Sequence, residues 1–326
     1  MTWRMFEYRM KLEYIRSEAR RHLPRWPRVL PVPTIPLRAF ASQPAPPLPQ
    51  TGNLPLSRVL HLEDFEAIAP WIRMAAPGRR PGRLYRKDWE VAMALRALSA
   101  TGVLNGDTEV LGIAAGNEST VFVLTNYVRR VFATDLYLAP GWEESATASM
   151  MTHPGQHWSG PWRPGRLVVQ NMNALDLWYE DVSIDAIFSS SSIEHFGDYE
   201  AVETSIREMF RVLKPGGICT LSTEFRLDGP SPGLPSTLIF SADELRRHVL
   251  EAAPWQLIDE VDLTAPSIES LMPVPFSKST VEVRQHERKY GLMNFDQLEF
   301  SQWTQVALTH RGITWTSCHM VLRKPA

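Results

Sequence analysis

Cysteine is nearly absent: the 326-residue chain holds two, Cys219 and Cys318, both inside apolar, strand-like runs. That excludes a disulfide-built scaffold and leaves a reduced, cytoplasmic chain as the expectation. No uninterrupted apolar stretch is long enough to cross a bilayer, so no transmembrane segment is expected. The basic N-terminus lacks the apolar core of a secretory signal. Formal net charge is only -2, so no global field draws the chain to nucleic acid or to an anionic membrane. No basic, aromatic RNA-binding pattern and no internal repeat stand out. What is plentiful is apolar residue (44%), proline (26) and tryptophan (11). Such a length and composition supports a large buried core, as one domain with additions or as two domains.

The texture divides the chain into three segments: 1–83, 84–230 and 231–326. In the first, Met5, Tyr8, Leu12, Ile15 and Ala19 recur at helical spacing, and eight Arg and Lys lie between Arg4 and Arg28. A basic amphipathic helix of this kind can touch a membrane surface or an acidic partner. The plainer reading, which we favour, packs it on its own domain or on a sister subunit as a homo-oligomer contact. Residues 24–56 are proline-rich and extended, an arm expected to wrap over the body.

From Leu84 onward short apolar runs alternate with helical patterns. A helix is expected over "RKDWEVAMALRALSATGVL" and another over Glu118–Asn126. A third, amphipathic, spans Tyr199–Leu213. Strands are expected at Val110–Ala114, Arg130–Thr134, Leu167–Gln170, Ile184–Ser189 and Gly217–Thr223. This alternation predicts an α/β fold with a doubly wound, mostly parallel sheet. Ligands of such sheets bind beyond the carboxyl ends of the strands. There, "EVLGIAAGNE" turns through the small residues Ala114, Ala115 and Gly116, which allow backbone to approach a ligand. Nineteen residues past Gly116, Asp135 ends the second strand, where a carboxylate can accept both ribose hydroxyls. Asn173 and the backbone at Ala174 could meet an adenine edge.

The ordered set "VLGIAAGNE", "FATDLY", "NALDLWYEDVSIDAIFSSSSIEHF" and "REMFRVLKPGGICTLST" resembles the class I S-adenosylmethionine-dependent methyltransferases of type 11, over roughly Leu84 to Glu224. The resemblance implies a seven-stranded Rossmann-like sheet with an antiparallel edge strand, and S-adenosyl-L-methionine as cofactor. It implies that Ala114, Ala115 and Gly116 pass under the methionine part and that Asp135 holds the ribose. Leu136 would pack on adenine, Asn173 and Ala174 would contact its edge, and Ser189 and Ser190 would lie near the amino group and sulfonium. Two positions depart from the family pattern. Gly112 replaces the usual acid, and Glu118 replaces the last glycine; Glu118 either supplies the missing charge or is an ordinary helix-start glutamate. A dehydrogenase reading is weaker, because the Gly-x-Gly-x-x-Gly run is incomplete.

Methyl transfer is an in-line displacement in which the protein aligns donor and acceptor. A hydroxyl acceptor also needs a base, and the resemblance puts His195 and Glu194 at the mouth of the fourth strand. No metal is expected: Ser191 stands where metal-binding relatives carry a glutamate, and whether His248 joins is open. His153 and His157 are separated by a helix-breaking Pro154-Gly155. Trp158, Trp162, Arg163 and Arg166 either cover the ligand or simply pack. In the last segment Ser241 and Glu244 read as a capped helix start. Trp255–Leu263 and Ile313–Leu322 are expected to close the sheet, with 264–302 as a lid or acceptor cap. The function so implied is methylation of a small-molecule or carbohydrate-like acceptor, O-methylation favoured; the alternative is a non-catalytic cofactor-binding or scaffold protein.

Overall fold

The computed structural model describes residues 45–78, 84–141, 145–229, 233–271, 273–275 and 305–326. The expected N-terminal helix and most of the expected cap lie outside them. In chain order the elements used below are β1 (Arg58–Val59), α1 (Ala69–Ala75), α2 (Arg86–Ala100), β2 (Glu109–Ile113), α3 (Ser119–Leu124), β3 (Arg130–Asp135) and β4 (Leu167–Asn171). They continue with β5 (Ile184–Ser190), α4 (Tyr199–Val212), β6 (Leu213–Arg226), β7 (Gln256–Leu257), β8 (Val274–Pro275), β9 (Leu308–His310) and β10 (Ile313–Arg323).

The sheet runs β4-β3-β2-β5-β6-β10-β9-β8, with β1 and β7 also paired to β10. The pairings from β4 across to β6 are parallel, and β10 is antiparallel to all its neighbours. The five expected core strands are thus present within a residue or two of their predicted limits, except at β6. Strands covered by helices on both faces read as continuous apolar runs, which is why β2, β3 and β5 were legible. One face packs on α1, α2 and α3, through Trp71, Trp89, Leu95 and Phe122. The other packs on α4, whose Val202, Ile206 and Met209 are fully buried. Asp198 caps α4, its Oδ1 accepting from Ala201 N at 2.9 Å. The capping box at Ser241 and Glu244 is also formed.

Two expectations are corrected. The tight turn at Pro215-Gly216-Gly217 does not precede the strand but bulges within it. Ile184 faces Leu213 and Ala186 faces Ile218, so four residues of β6 oppose one of β5. Gly216 supplies the left-handed bend (φ 77°) and donates to Lys324 O at 2.8 Å. Second, Trp255–Leu263 pairs with β10 as a strand only at Gln256–Leu257. Beyond it the arm intervenes: β1 pairs with Cys318 and His319, and on its other side Val59 N donates to Asp262 O and Asp262 N to Ser57 O, both at 3.0 Å. The outer edge of β10 is therefore shared by β9, β1 and β7 in turn, and the expected seventh strand is composite. Cys219 and Cys318 are buried and free.

The described part of the arm does wrap its own chain. Arg96 of α2, 2% exposed, donates to the carbonyls of Thr51 (2.5 Å), Pro55 (3.4 Å) and Leu54. Leu56 N and Ser57 N donate to Asp259 Oδ2, and Tyr127 and Trp71 bond Pro46 O and Gln50 O. Arg96→Met keeps the side-chain stem but strips three carbonyls of their donor. We expect a loss of about 3 kcal/mol, or roughly 5–10 °C in melting temperature. An unchanged melt would mean that the arm is held by its apolar contacts alone.

Candidate functional site

The carboxyl ends of β2, β3, β5 and β6 meet at the turn after β2. Ala114 takes a left-handed conformation (φ 48°), as does Gly116 (φ 49°). Only Gly116 has no choice of side chain: a Cβ there would lie 2.3 Å from Ser145 O. Asn117 N donates to that same carbonyl at 2.9 Å, so residue 145 is drawn over the turn. Ala115 is buried and donates to Thr134 O at 3.0 Å, which ties the turn to β3.

Asp135 closes β3 against this turn. Its Oδ2 accepts from Gly116 N at 2.8 Å and its Oδ1 from Leu136 N at 2.6 Å. Burial pushes its carboxyl up to about 6 despite these two donors. Each oxygen keeps acceptor capacity for one further donor. Tyr137, buried beneath, donates to Gly116 O at 2.7 Å. Leu136 is half-buried beside the same turn. Past β4, Asn173 Oδ1 accepts from Leu175 N at 3.0 Å, an Asx turn that holds the loop at Ala174.

The third side is the run Ser189–Ser192 after β5. Ser191 is left-handed (φ 46°), its N donating to Ser222 O at 2.8 Å, and Ser192 Oγ donates to Ala114 O at 3.0 Å. The hydroxyls of Ser189 and Ser190 are buried without a partner, and so is Glu118 Oε1 at the head of α3. Buried polar atoms of this kind are seldom left unsatisfied unless something external completes them. Burial raises the Glu118 carboxyl to about 8; the neighbouring Glu90 adds to this, and Thr120, Lys87 and Ser190 offset part of it.

Gly112 has a steric cause. A Cβ at this position would lie 2.5 Å from Phe188 Cζ and 2.8 Å from the Ala115 Cβ. Phe188 of β5 fills the space in which a side chain on residue 112 would stand.

Sequence reasoning missed a buried charged cluster beneath the serine run. Arg86 pairs with Glu224 (2.7 Å) and Glu90 (3.1 Å), and Lys87 with Glu224 (3.2 Å) and Glu90 (3.3 Å). Glu90 also accepts from Ser191 Oγ at 2.8 Å and from Ser317 Oγ. Glu194 belongs here: it is fully buried, its Oε2 accepting from Thr223 Oγ1 at 2.8 Å. Three carboxyls face two cations. Burial, then the charge of Glu224, pushes Glu194 up to about 8. Burial also opposes ionisation of Glu224, but Arg86 and Lys87 outweigh it and hold that group low. The sequence signals were Glu224 just past the expected strand Gly217–Thr223 and the charged start of α2.

His195 lies one residue on, at the end of a 3-10 turn. Its Nδ1 lies 3.2 Å from Ser236 O and 3.4 Å from Thr237 Oγ1. A carbonyl can only accept, so Nδ1 carries the hydrogen and Nε2 keeps the lone pair. Burial lowers the imidazole, partly offset by the Ser236 contact, so it is neutral at pH 7. His248 does not join it: His248 bonds Glu203 at 2.8 Å and stacks on Tyr199, with ring centroids 4.2 Å apart. Trp158 and Trp162 pack on Phe122 of α3. Arg163 N and the Arg166 guanidinium donate to Thr125 Oγ1 and Val128 O, which packs this stretch against the end of α3. His157 bonds Ser149 and Gln156. Among the described residues no three His, Cys, Asp or Glu are placed to hold a metal, and no helix is long and apolar enough to cross a membrane.

Residues 111–221 match the family model described as methyltransferase domain. That stretch contains the turn, Asp135, the serine run and His195. No curated protein matches the chain. Similar solved structures include a protein described as a sarcosine dimethylglycine methyltransferase from Galdieria sulphuraria (19% identity, 73% of this chain and 85% of that one, TM-score 0.46). Others are the [4+2]-cyclase SpnF (17%, 81% and 94%, 0.47) and phosphoethanolamine N-methyltransferase 2 of Haemonchus contortus with S-adenosyl-L-methionine (14%, 82% and 61%, 0.46). At these identities the activities of those proteins are not carried over to this chain.

Proposed function

With a methyltransferase domain at residues 111–221 as the premise, we propose that this protein transfers a methyl group from S-adenosyl-L-methionine to a small-molecule or carbohydrate-like acceptor, at a hydroxyl. The observation that carries the reading is the set of incomplete polar groups around one turn: Asp135 with acceptor capacity to spare, Ser189 unpartnered, and Glu118 served only by the nearby hydroxyls of Thr120 and Ser190. They fit the cofactor's donors in kind. Asp135 would hold the ribose hydroxyls. Leu136, Asn173 and Ala174 would hold adenine, and Ala114–Gly116 with the serines and Glu118 the amino-acid end. The cofactor supplies a methyl group on a sulfonium, a strong electrophile.

What remains for the protein is to orient the acceptor, exclude water and take a proton. His195 takes it at Nε2, the lone-pair nitrogen left by its bond to Ser236. Glu194, buried and bonded to Thr223, does not reach acceptor; it acts as a positioning residue under the serine run.

Calorimetry with S-adenosylhomocysteine tests the cofactor half; no binding would end the reading. Given binding, His195→Asn is expected to lower kcat by about 10²–10⁴-fold at unchanged cofactor affinity, once an extract screen yields an acceptor. Binding without transfer to any acceptor would favour a non-catalytic scaffold.

A further inference from the structure

Among the described residues the buried oxygens without a partner beside the turn are Glu118 Oε1, Thr120 Oγ1, Ser189 Oγ and Ser190 Oγ, of which that of Glu118 belongs to a group that can gain or lose a charge; Glu194 Oε1 is also unpartnered but belongs to the charged cluster with Glu224 and Lys87. We propose that Glu118 is the group that receives the positively charged amino end of the cofactor, and that it does so by giving up a proton to solvent, so that cofactor uptake is proton-linked. This rests on the reading above, in which the turn holds S-adenosyl-L-methionine.

The geometry leaves few other groups for the task. Residue 112 has no room for a side chain against Phe188. Both oxygens of Asp135 already accept backbone N–H groups on the ribose side of the turn. Glu90 is saturated by Arg86, Lys87, Ser191 and Ser317. Glu118 remains, with one oxygen enclosed and only the neutral hydroxyls of Thr120 and Ser190 beside the carboxyl.

The groups that face it decide its charge. From α2 come Glu90, which opposes ionisation, and Lys87, which favours it but is held by Glu90 and Glu224. Thr120 on its own helix and Ser190 after β5 help the charged form, and Tyr137 lies across the turn. Burial outweighs these and the group stands at about 8, so Glu118 is a neutral acid at pH 7. An ammonium set against it favours the carboxylate. The balance is one carboxylic acid and one ammonium giving a carboxylate–ammonium pair, with the proton passed to buffer.

The test is calorimetry on the full chain at pH 7 in two buffers of different ionisation heat. With S-adenosylhomocysteine, release of close to one proton per ligand is expected, since a group at about 8 is some nine-tenths protonated there. With 5′-methylthioadenosine, which lacks the amino-acid end, no proton should be released. Glu118→Gln should abolish the release and weaken S-adenosylhomocysteine by about tenfold or more. Equal proton counts for the two ligands, or release that persists in Glu118→Gln, would overturn the inference and leave the cofactor reading standing. Failure of the wild-type chain to bind either ligand would overturn both. If Glu118→Gln does not fold, the two-ligand comparison on wild-type protein still decides.

Discussion

Gly112→Asp is expected to unfold the domain rather than repair its motif. The acid usual in the family would sit on a Cβ 2.5 Å from the Phe188 ring and 2.8 Å from Ala115, in a fully buried part of the core. Overpacking of this kind costs about 1–3 kcal/mol. A carboxyl enclosed there without partners adds a few more, roughly 2 or above. Together they predict a loss of about 4 kcal/mol or more, read as a melting temperature lowered by roughly 10 °C or as insoluble protein. Phe188→Leu should cost less by itself and should restore part of the loss when combined with Gly112→Asp, because the two positions contend for one volume. Melting of Gly112→Asp within a degree or two of wild type would show that Phe188 yields freely, and the steric account of Gly112 would be lost.

The second large effect is on binding. If Asp135 holds the two ribose hydroxyls as proposed, Asp135→Asn should raise the Kd for S-adenosylhomocysteine by about 100-fold or more, since hydrogen bonds to a charged group contribute about 1.5–3 kcal/mol each. Stability is subject to two opposing effects. Burial raises the Asp135 carboxyl to about 6, above its ordinary value of 3.8. The folded state therefore holds this proton more tightly than the unfolded one, and ionisation of Asp135 counts against folding at neutral pH. Asparagine removes that cost but offers one acceptor oxygen to the two backbone N–H groups that Asp135 holds, so the two effects offset and the melting temperature should change little while binding is lost. The same shift sets a pH dependence: wild-type affinity should fall as pH drops through about 6, where the acceptor is protonated. A variant that loses binding and stability together would mark Asp135 as a structural residue of the turn.

These two sites also show where sequence is informative and where it is not. The strand-end aspartate was legible because its interval from Gly116 is a local property of one strand-turn-helix-strand unit. The strands themselves were legible because burial on both faces writes apolar runs. The reason for Gly112 was not, because Phe188 lies 76 positions away and meets it only through the pairing of β2 with β5. The charged cluster was hidden for the same reason. Glu90 meets Ser191 across 101 residues and Ser317 across 227. Along the chain, Arg86, Lys87 and Glu90 look like any solvated helix face, and only packing on β6 and β10 takes them from water.

The closing edge of the sheet was misjudged on similar grounds. Trp255–Leu263 has the composition of a strand, but strand composition does not choose a partner, and Arg58–Val59 takes the place beside Cys318 and His319 of β10. By itself, then, the sequence determined the core strands, the turn after β2 and the aspartate that closes β3, since each depends on spacing within a few tens of residues. The tertiary structure alone decided that Glu118 is enclosed without a partner, that Glu194 faces the charged cluster, that Ser236 sets the tautomer of His195, and that the arm completes the sheet. Each of those depends on burial and on contacts between distant segments, and neither is a local property of the chain.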